Sequence, residues 1–420
     1  MVAEYFLPAL RRFILSGLAV AVCSSAHAQV WTLESSVEQA IAVAPERRAA
    51  EAEVNARSAE RTQSGAWPNP TIEVRGDEKL GLEDGRGGYD LNQISITQPL
   101  PLRRLVHQRR AAEAGLDAAR ATQAQQRLQL EKRIAQVFHD LQLAAERQRL
   151  AQERLDFAES VRPGSDRLVR YLSPLERARL DILRETARQD VAFAEGKWSE
   201  AASQFRALLA LPADTKPETT ALTALTAPAA LTELEAGLSS HPALRAREHA
   251  RAASRAQVNV ARAQRFADPT VSVFRERDYL AGSRQDYTGV LLGVQIPLWN
   301  GNSGGVARAV AEVDKADALL AAQRRDLESG LRQNHLHLGH LIEQAEHYRT
   351  RLLTPARQVL DLTRKGFASG EQNGLALVDA SNTYFEAQAR YLELLHDAWV
   401  EAAELRLAAG LVAGETAVQP

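Results

Sequence analysis

The sequence repeats itself at an offset of about 200 residues, and this repeat constrains the fold more than any other feature. The segment PNPTIEV at 68–74 returns as ADPTVSV at 267–273, and ITQPL at 96–100 returns as VQIPL at 294–298. Farther along, Ala210-Leu211 returns as Gly410-Leu411. An offset that stays nearly constant indicates that one unit was duplicated whole.

Each unit predicts the same order of elements: a helix of moderate length, two strands, a very long helix, a short break and a second long helix. We expect helices at about 34–66, 103–162 and 174–211, and again at about 233–267, 303–369 and 374–410. A helix of about 60 residues extends about 90 Å, so such helices must pack along their lengths as coiled coils or bundles. Breaks at Pro163-Gly164 and near Gly370 fold each long pair back into a hairpin.

The duplication also sets the predicted domain boundaries. Residues 29–211 form the first helix-strand-strand-helix repeat, and residues 233–411 form the second. Between them, residues 212–232 read PADTKPETTALTALTAPAALT and predict an irregular equatorial connector. Residues 412–420 are expected to be a C-terminal tail.

Between the helices, apolar and polar residues alternate with a period of two. We expect strands at about 70–78 and 90–99, and at about 269–277 and 287–298. One face of the first hairpin is predicted to be apolar, with Ile72, Val74, Ile94 and Ile96. The other face is predicted to be polar, with Thr71, Glu73 and Arg75.

These strands have the length needed to cross a bilayer at a tilt, which is about 9–11 residues. Aromatic residues stand where membrane interfaces would lie, with Trp67 and Trp299 at the helix-proximal ends and Tyr89, Tyr279 and Tyr287 at the loop ends. The alternative is an amphipathic hairpin on a soluble sheet. Three features favour membrane-spanning strands over a soluble sheet: the secretory signal predicted below, the repetition of the hairpin, and long helices that offer no apolar face large enough to cover a sheet. Because four strands cannot close a barrel, the barrel must be shared between several chains, whose number the residues alone do not determine.

The first 28 residues predict a secretory signal peptide. Arg11 and Arg12 precede the apolar run FILSGLAVAV, and Ala26-His27-Ala28 offers a cleavage site. A membrane anchor would need about 20 apolar residues, more than this run has. The stretch before Cys23, the single cysteine, also half resembles a lipoprotein box, so acylation is the alternative to removal of this residue. The formal charge of −2 gives no electrostatic argument for binding nucleic acid.

Taken together, these features resemble the TolC-like outer membrane efflux proteins over essentially the whole mature chain. Within that family, PNPTIEV, QISITQPLPL, ADPTVSV and VQIPLWNGNSGGVARAVAEV are most similar to the heavy-metal branch typified by CzcC and CusC. The resemblance implies a mainly α-helical fold with membrane β-strands: a homotrimer with a twelve-stranded outer membrane barrel and a helical tunnel across the periplasm. It also implies two partners, a periplasmic adaptor protein and an inner-membrane pump of the resistance–nodulation–division type.

The resemblance assigns adaptor docking to the tips of the helical hairpins. The positions that match the family's Gly/Ser-x-x-Leu pattern are Leu172, Ser173, Pro174 and Leu175 in the first unit and Gly370, Asn373, Gly374 and Leu375 in the second. Acidic residues near the tips, Asp166, Glu176, Glu371 and Asp379, are candidates for a ring that gates the closed end of the tunnel. For each of them, a solvated or helix-capping carboxylate is the alternative.

Two further stretches are candidate chemical sites. In NHLHLGHLIEQAEH at 334–347, His340, Glu343 and His347 share one helix face, and three copies around an axis could bind a soft cation, although packing and surface roles are favoured. GNSGG at 301–305 imitates a serine protease loop, but a Gly-rich turn capped by Asn302 or Ser303 explains it. We therefore predict no enzymatic activity and no cofactor, and the energy for transport must come from a partner.

The sequence thus predicts an outer membrane channel subunit of a tripartite efflux system that extends into the periplasm and exports metal cations. Drug efflux and type I secretion are variants within the same class. The alternative from another class is a periplasmic coiled-coil adaptor or structural protein, whose strands would form a soluble sandwich.

Overall fold

The computed structural model describes residues 30–76, 91–161, 173–280, 283–412 and 418–419. The first repeat begins with a short strand, β1 (Val30–Trp31), and two helices, α1 (Leu33–Val43) and α2 (Pro45–Ser64). Strands β2 (Thr71–Gly76) and β3 (Leu91–Pro99) lead into the long helices α3 (Arg104–Ser160) and α4 (Pro174–Leu209). With 57 residues, α3 is about 85 Å long.

The second repeat has the same order of elements. The connector before it holds two short strands, β4 (Glu218–Thr219) and β5 (Ala227–Pro228), and the repeat then comprises α5 (Leu231–Gly237), a 3₁₀ turn (Leu238–Ser240), α6 (Pro242–Ala263), β6 (Thr270–Leu280) and β7 (Ser283–Gly293). The long helices follow as α7 (Ser303–Tyr348), a π-helical turn (Arg349–Leu353), α8 (Thr354–Ser369) and α9 (Gly374–Ala409), and β8 is Val418–Gln419. Among the helices described, none combines the length and the apolar character needed to cross a membrane.

Prolines divide three helices that were predicted to be continuous. Ala44 (ψ 124°) precedes Pro45, and His241 (ψ 127°) precedes Pro242, so the predicted helices 34–66 and 233–267 are each interrupted. The reason is steric, because a residue before proline is pushed out of the α region. In the predicted helix 303–369, Pro355 cannot donate a backbone hydrogen bond, and the preceding turn widens into the π-helical turn.

The four longer strands form one antiparallel sheet in the order β2-β3-β6-β7. The central contact joins the two repeats, since β3 pairs with β6 from Gln93↔Glu276 to Pro99↔Thr270. The last strand was predicted at about 287–298, and this is wrong because β7 ends at Gly293. Gly293 pairs with Thr270, the first residue of β6, so the partner strand ends there.

Each repeat has a hydrophobic core where its helices pack together, and the core of the second repeat also includes Leu222 and Leu225 of the connector. In the first repeat Trp31, Phe138 and Phe205 lie in one cluster, and Trp31 contacts Phe205 edge to face. The corresponding cluster of the second repeat contains Leu331 and Leu405. A third cluster lies near the hairpin tips and includes Leu180, Leu360, Phe367 and Leu377.

The connector pairs at both of its ends with short strands near the two ends of the described chain. Val30 pairs with Glu218 in parallel, and Ala227 pairs with Gln419 in antiparallel orientation. Between these points the indole Nε1 of Trp399 donates to the Thr223 carbonyl at 2.7 Å. The connector is therefore irregular in backbone but fastened to α9 by hydrogen bonding.

Candidate channel surfaces and hairpin tips

Cross-strand register assigns the side chains of the sheet to two faces. The apolar face contains Ile72, Val74, Ile94, Ile96, Val271, Val273, Val290 and Leu292. In one row Ile72, Ile96, Val273 and Val290 lie directly opposite one another across all four strands. All four are exposed in the single chain, and Val290 is the most exposed of them. Such a face is what contact with lipid requires.

The polar face contains Thr71, Glu73, Arg75, Gln93, Ser95, Thr97, Ser272, Glu276 and Tyr287. The hydroxyls of Thr97 and Ser272 are 2.7 Å apart and join the two repeats. Tyr287 was predicted to be an interfacial aromatic at the loop end, but it lies opposite Glu276 and therefore on the polar face, not on the face of a lipid-facing girdle. The distance of a residue from the loop does not show which face of the strand it occupies, because successive side chains alternate between the two faces. Tyr89 and the side chain of Tyr279 lie outside the described residues.

Phe274 shares the polar face with Tyr287, and among the described residues these two are its large aromatic side chains. The ring of Phe274 lies across Gly289, where an added Cβ would be only 2.4 Å from the ring edge. Gly289 therefore lets the ring fold down onto the neighbouring strand, and any larger residue would push the ring away from the sheet.

At the helix-proximal end, the apolar face continues beyond the paired strands. Val294, Ile296 and Leu298 repeat its period of two and are exposed, and Trp299 is 94% exposed. Trp67, four residues before β2, is also exposed. Indole groups at this level suit an interface between lipid and water.

At the first hairpin tip, Ser173 and Glu176 cap the start of α4. Ser173 Oγ accepts from the Glu176 backbone N–H at 3.2 Å, and Glu176 Oε2 accepts from the Ser173 N–H at 2.8 Å. This reciprocal capping box satisfies two helix N-terminal donors. The Ser173 backbone N–H lowers the pKa of Glu176 most, followed by its hydroxyl and then by the Gly374 N–H.

Glu176 also joins the two tips, because its Oε1 accepts from the Gly374 N–H at 3.3 Å. Gly374 is buried against Glu176 and Phe367, and Asn373 Oδ1 caps α9 by accepting from the Ala376 N–H at 2.9 Å. Gly370 ends α8 in the left-handed region (φ 82°), where glycine is favoured.

The other predicted tip and gate residues are less closely connected. Pro174, Leu175, Glu371, Leu375 and Asp379 are exposed. The structure brings together Ser173, Glu176 and Gly374, whereas among the described residues the side chains of Glu371 and Asp379 form no hydrogen bond with these three. Leu172 and Asp166 lie outside the described residues.

The candidate metal-binding residues lie on the exposed side of α7. His340, Glu343 and His347 are all exposed. Their neighbours have structural contacts, since His335 Nε2 lies 3.0 Å from the Ala229 carbonyl and His337 Nδ1 lies 3.0 Å from Glu401. Among the residues that the structure describes, no three His, Cys, Asp or Glu side chains of one chain are placed to hold a metal ion.

The GNSGG turn differs from its predicted capping scheme. Asn302 occupies the N-cap position of α7, but its side chain makes no capping bond and instead donates to the Ala261 carbonyl of α6 at 2.8 Å. Its backbone is left-handed (φ 52°), and an added Cβ at Gly305 would be 2.2 Å from Asn302 Oδ1. The turn therefore anchors α7 to α6.

Three buried or half-buried histidines, which no sequence motif marks, join distant segments of the chain. His139 Nδ1 donates to Gln142 Oε1 at 2.8 Å, and Gln142 Nε2 donates to the Thr220 carbonyl at 2.7 Å. Burial lowers the pKa of His139 to about 4. His241 accepts from the Ala243 N–H and donates to the Leu407 carbonyl, and burial lowers its pKa. Of these histidines, only His241 has a local sequence signal, because Pro242 after it marks the start of a helix that His241 caps.

His396 behaves in the opposite way. Burial lowers its pKa, but Asp140 and Asp397 more than offset that effect, so the net pKa is raised. Its Nε2 lies 2.7 Å from Asp140, which connects α9 of the second repeat to α3 of the first. The two repeats are thus joined by charge as well as by apolar packing.

The chain matches the family model described as "Outer membrane efflux protein" over residues 36–211 and 234–411. It is 27% identical over 371 residues to the cobalt-zinc-cadmium resistance protein CzcC of Cupriavidus metallidurans, covering 87% of this chain and 86% of that protein. It is 30% identical over 320 residues to the nickel and cobalt resistance protein CnrC of the same organism, covering 74% and 75%. Its fold is similar to the crystal structure of CusC, with a TM-score of 0.72 at 19% identity, covering 90% of this chain and 92% of that chain.

Proposed function

Since the chain belongs to the outer membrane efflux protein family, we propose that it is the outer membrane channel subunit of a tripartite resistance–nodulation–division efflux system. Membership confirms the resemblance predicted from the sequence, together with an outer membrane location and a fold of long helices with membrane strands. The family is one of efflux proteins, so the chain acts as a passive conduit, and a partner supplies the energy.

The observation that carries this proposal is the sheet with one apolar face, one polar face and two open edges. In the order β2-β3-β6-β7, the outer edges of β2 and β7 have no partner strand within the described chain. Unpaired backbone groups cannot remain exposed to lipid. Because the strands alternate in direction, β7 of one copy can pair antiparallel with β2 of the next, and three copies would close a twelve-stranded barrel.

Exposed apolar residues on α4 support the same assembly below the membrane. Leu175, Ile182 and Phe193 are all more than half exposed. They are 7 and 11 residues apart, close to whole numbers of helical turns, so they form one stripe along the helix. A stripe of this kind suits packing against the helices of another copy.

The proposed cargo is heavy-metal cations, and the support comes from the relatives. CzcC is named for resistance to cobalt, zinc and cadmium, and CnrC for resistance to nickel and cobalt. We propose that the hairpin tips around Leu175 and Leu375 dock onto a periplasmic adaptor, and that tip carboxylates, including Glu176, contribute to the gate.

Deletion of the gene in its host, with complementation by the intact chain, tests the cargo. We expect deletion to lower the inhibitory concentration of at least one of zinc, cobalt, cadmium, nickel and copper several-fold, and complementation to restore it. A change in antibiotic tolerance alone would identify a drug channel instead. Loss of a secreted protein with unchanged metal tolerance would indicate type I secretion.

Two adjacent positions test the orientation of the sheet, in a background carrying Cys23→Ser. Glu73→Cys should react with a polar, membrane-impermeant thiol reagent because position 73 faces the lumen. Val74→Cys is the matched control and should not react because it faces lipid. Recovery of the protein as a soluble periplasmic species, rather than a detergent-extracted trimer, would support the adaptor alternative and refute the channel.

A further inference from the structure

The apolar face ends, on the side away from the helices, in a charged group of three side chains that we name the rim cluster: Arg275, Arg277 and Asp286. Alternate residues of a strand share a face, so Val273 of β6 is followed on the same face by Arg275 and Arg277. Arg275 lies directly opposite Ile94 on one side. The arginines therefore begin where the apolar rows end.

Along the strands, the rim cluster lies at the level where lipid headgroups are expected. Apolar side chains of this face run from Val290 to Leu298, a distance of at most about 26 Å along an extended chain, or about 20 Å of membrane thickness after tilting. This is close to the apolar band of outer membrane barrels, about 25 Å tall. The helices leave the sheet at the opposite end, so the cluster lies toward the outer leaflet.

The rim cluster carries more positive than negative charge. Arg277 Nε donates to Asp286 Oδ1 at 2.9 Å, and Arg275 approaches Asp286 Oδ2 at 3.4 Å. One carboxylate thus lies between two guanidinium groups, and the side chain of Arg275 is 67% exposed. Glu276, the acidic residue between the two arginines in sequence, lies on the polar face and does not neutralise them there.

We propose that the rim cluster binds a phosphate group of a phosphorylated glycolipid in the outer leaflet, with Arg275 as the principal donor. A guanidinium group matches the geometry of phosphate oxygens and remains charged at all relevant pH values. The apolar row of Ile96, Val273 and Val290 then contacts the acyl chains of the same molecule. Asp286 holds the arginines in place and competes with the phosphate. This inference rests on the membrane orientation given under the proposed function.

Binding of diphosphoryl lipid A to the detergent-purified protein, measured by native mass spectrometry, tests the proposal. We expect Arg275→Gln to weaken binding about tenfold, because it removes a charge-assisted hydrogen-bond donor. Asp286→Asn should strengthen binding several-fold, because it removes the competing carboxylate. These opposite signs cannot both arise from misfolding. Arg75→Gln is the matched control, since Arg75 lies on the polar face, and it should change the affinity less than twofold.

Equal affinity of the wild type, Arg275→Gln and Asp286→Asn would overturn the proposal, as would an equal loss in Arg75→Gln. Inorganic phosphate should not displace the lipid at comparable concentration, and displacement would show a phosphate site rather than a lipid site. If the channel assignment itself is wrong, the wild type and every variant will be missing from the outer membrane fraction. If only this inference is wrong, all of them will be recovered there with unchanged lipid binding.

Discussion

Acidification should loosen the contact between α3 and the connector at His139. The imidazole is buried, and it stacks on Trp399 with ring centroids 5.1 Å apart. Because the amide oxygen of Gln142 can only accept, His139 donates from Nδ1, and Gln142 in turn holds Thr220. A second proton would therefore be buried at Nε2 against the aromatic stack.

The sign and the size of the change in folding stability follow from the lowered pKa of His139. Burial is the main cause, His396 and Arg406 add to it, and Gln142 and Asp140 oppose it. The unfolded chain binds a proton near pH 6.5 and the folded chain only near about 4, so stability falls as pH decreases through this window. At about 1.4 kcal/mol per pKa unit, the full effect is about 3 kcal/mol, of which about 2 kcal/mol is lost between pH 7 and pH 5.

Hydrogen exchange of the purified protein measures this loss directly. After correction for intrinsic rates, backbone amides of the connector near Thr220 should exchange about 30-fold faster at pH 5 than at pH 7, the factor that corresponds to about 2 kcal/mol. His139→Phe is the control, because phenylalanine retains an aromatic ring against Trp399 and cannot take up a proton. The same pH dependence in the wild type and in His139→Phe, or no dependence in either, would refute the reasoning.

Three further predictions concern two helix ends and Cys23. Ala210 ends α4 in the left-handed region (φ 52°), so Ala210→Gly should stabilise the protein by about 1 kcal/mol in thermal unfolding. Glu176→Gln should speed hydrogen exchange around residues 173–178 and 374–377, because the charged acceptor for the Gly374 N–H is lost. In the wild type, the stabilisation by the Glu176 carboxylate is fully present above its unfolded pKa of 4.5. It is lost as pH falls through the lower pKa that Glu176 has in the folded protein. Cys23→Ser should leave outer membrane fractionation unchanged: Trp31 lies in one core cluster with Ile134 of α3, about 45 Å from the membrane end of that helix, while the eight residues from 23 to 31 reach at most about 28 Å.

Much of the fold could be predicted because its signals are local or periodic. The constant offset identified two equivalent repeats, and the alternation of Ile72 and Val74 with Thr71 and Glu73 assigned the two sheet faces before pairing was known. The errors arose where one residue interrupts a periodic segment. Three prolines stop or widen helices, because each lacks the backbone N–H and its ring clashes with the preceding residues: Pro45, Pro242 and Pro355. Hydrophobic periodicity reveals neither effect.

The candidate site was predicted less completely, because its contacts join residues far apart in the chain. The sequence placed Ser173 and Gly374 at two separate tips, but only packing brought the Glu176 carboxylate onto the Gly374 N–H. The rim arginines could have been found by continuing the strand parity past Val273, although their shared partner Asp286 depends on the register of β6 with β7.

The sequence by itself therefore determined the duplication, the helical hairpins, the two-faced strands and the family, since each is written in residue spacing along the chain. Only the tertiary structure decided that β3 pairs with β6 across the two repeats, that the connector is fastened to the helices, and that His139 is neutral between Gln142 and Trp399. Strand pairing, hydrogen bonds and desolvation act between groups that meet only after the chain has folded, so their partners cannot be read from local pattern.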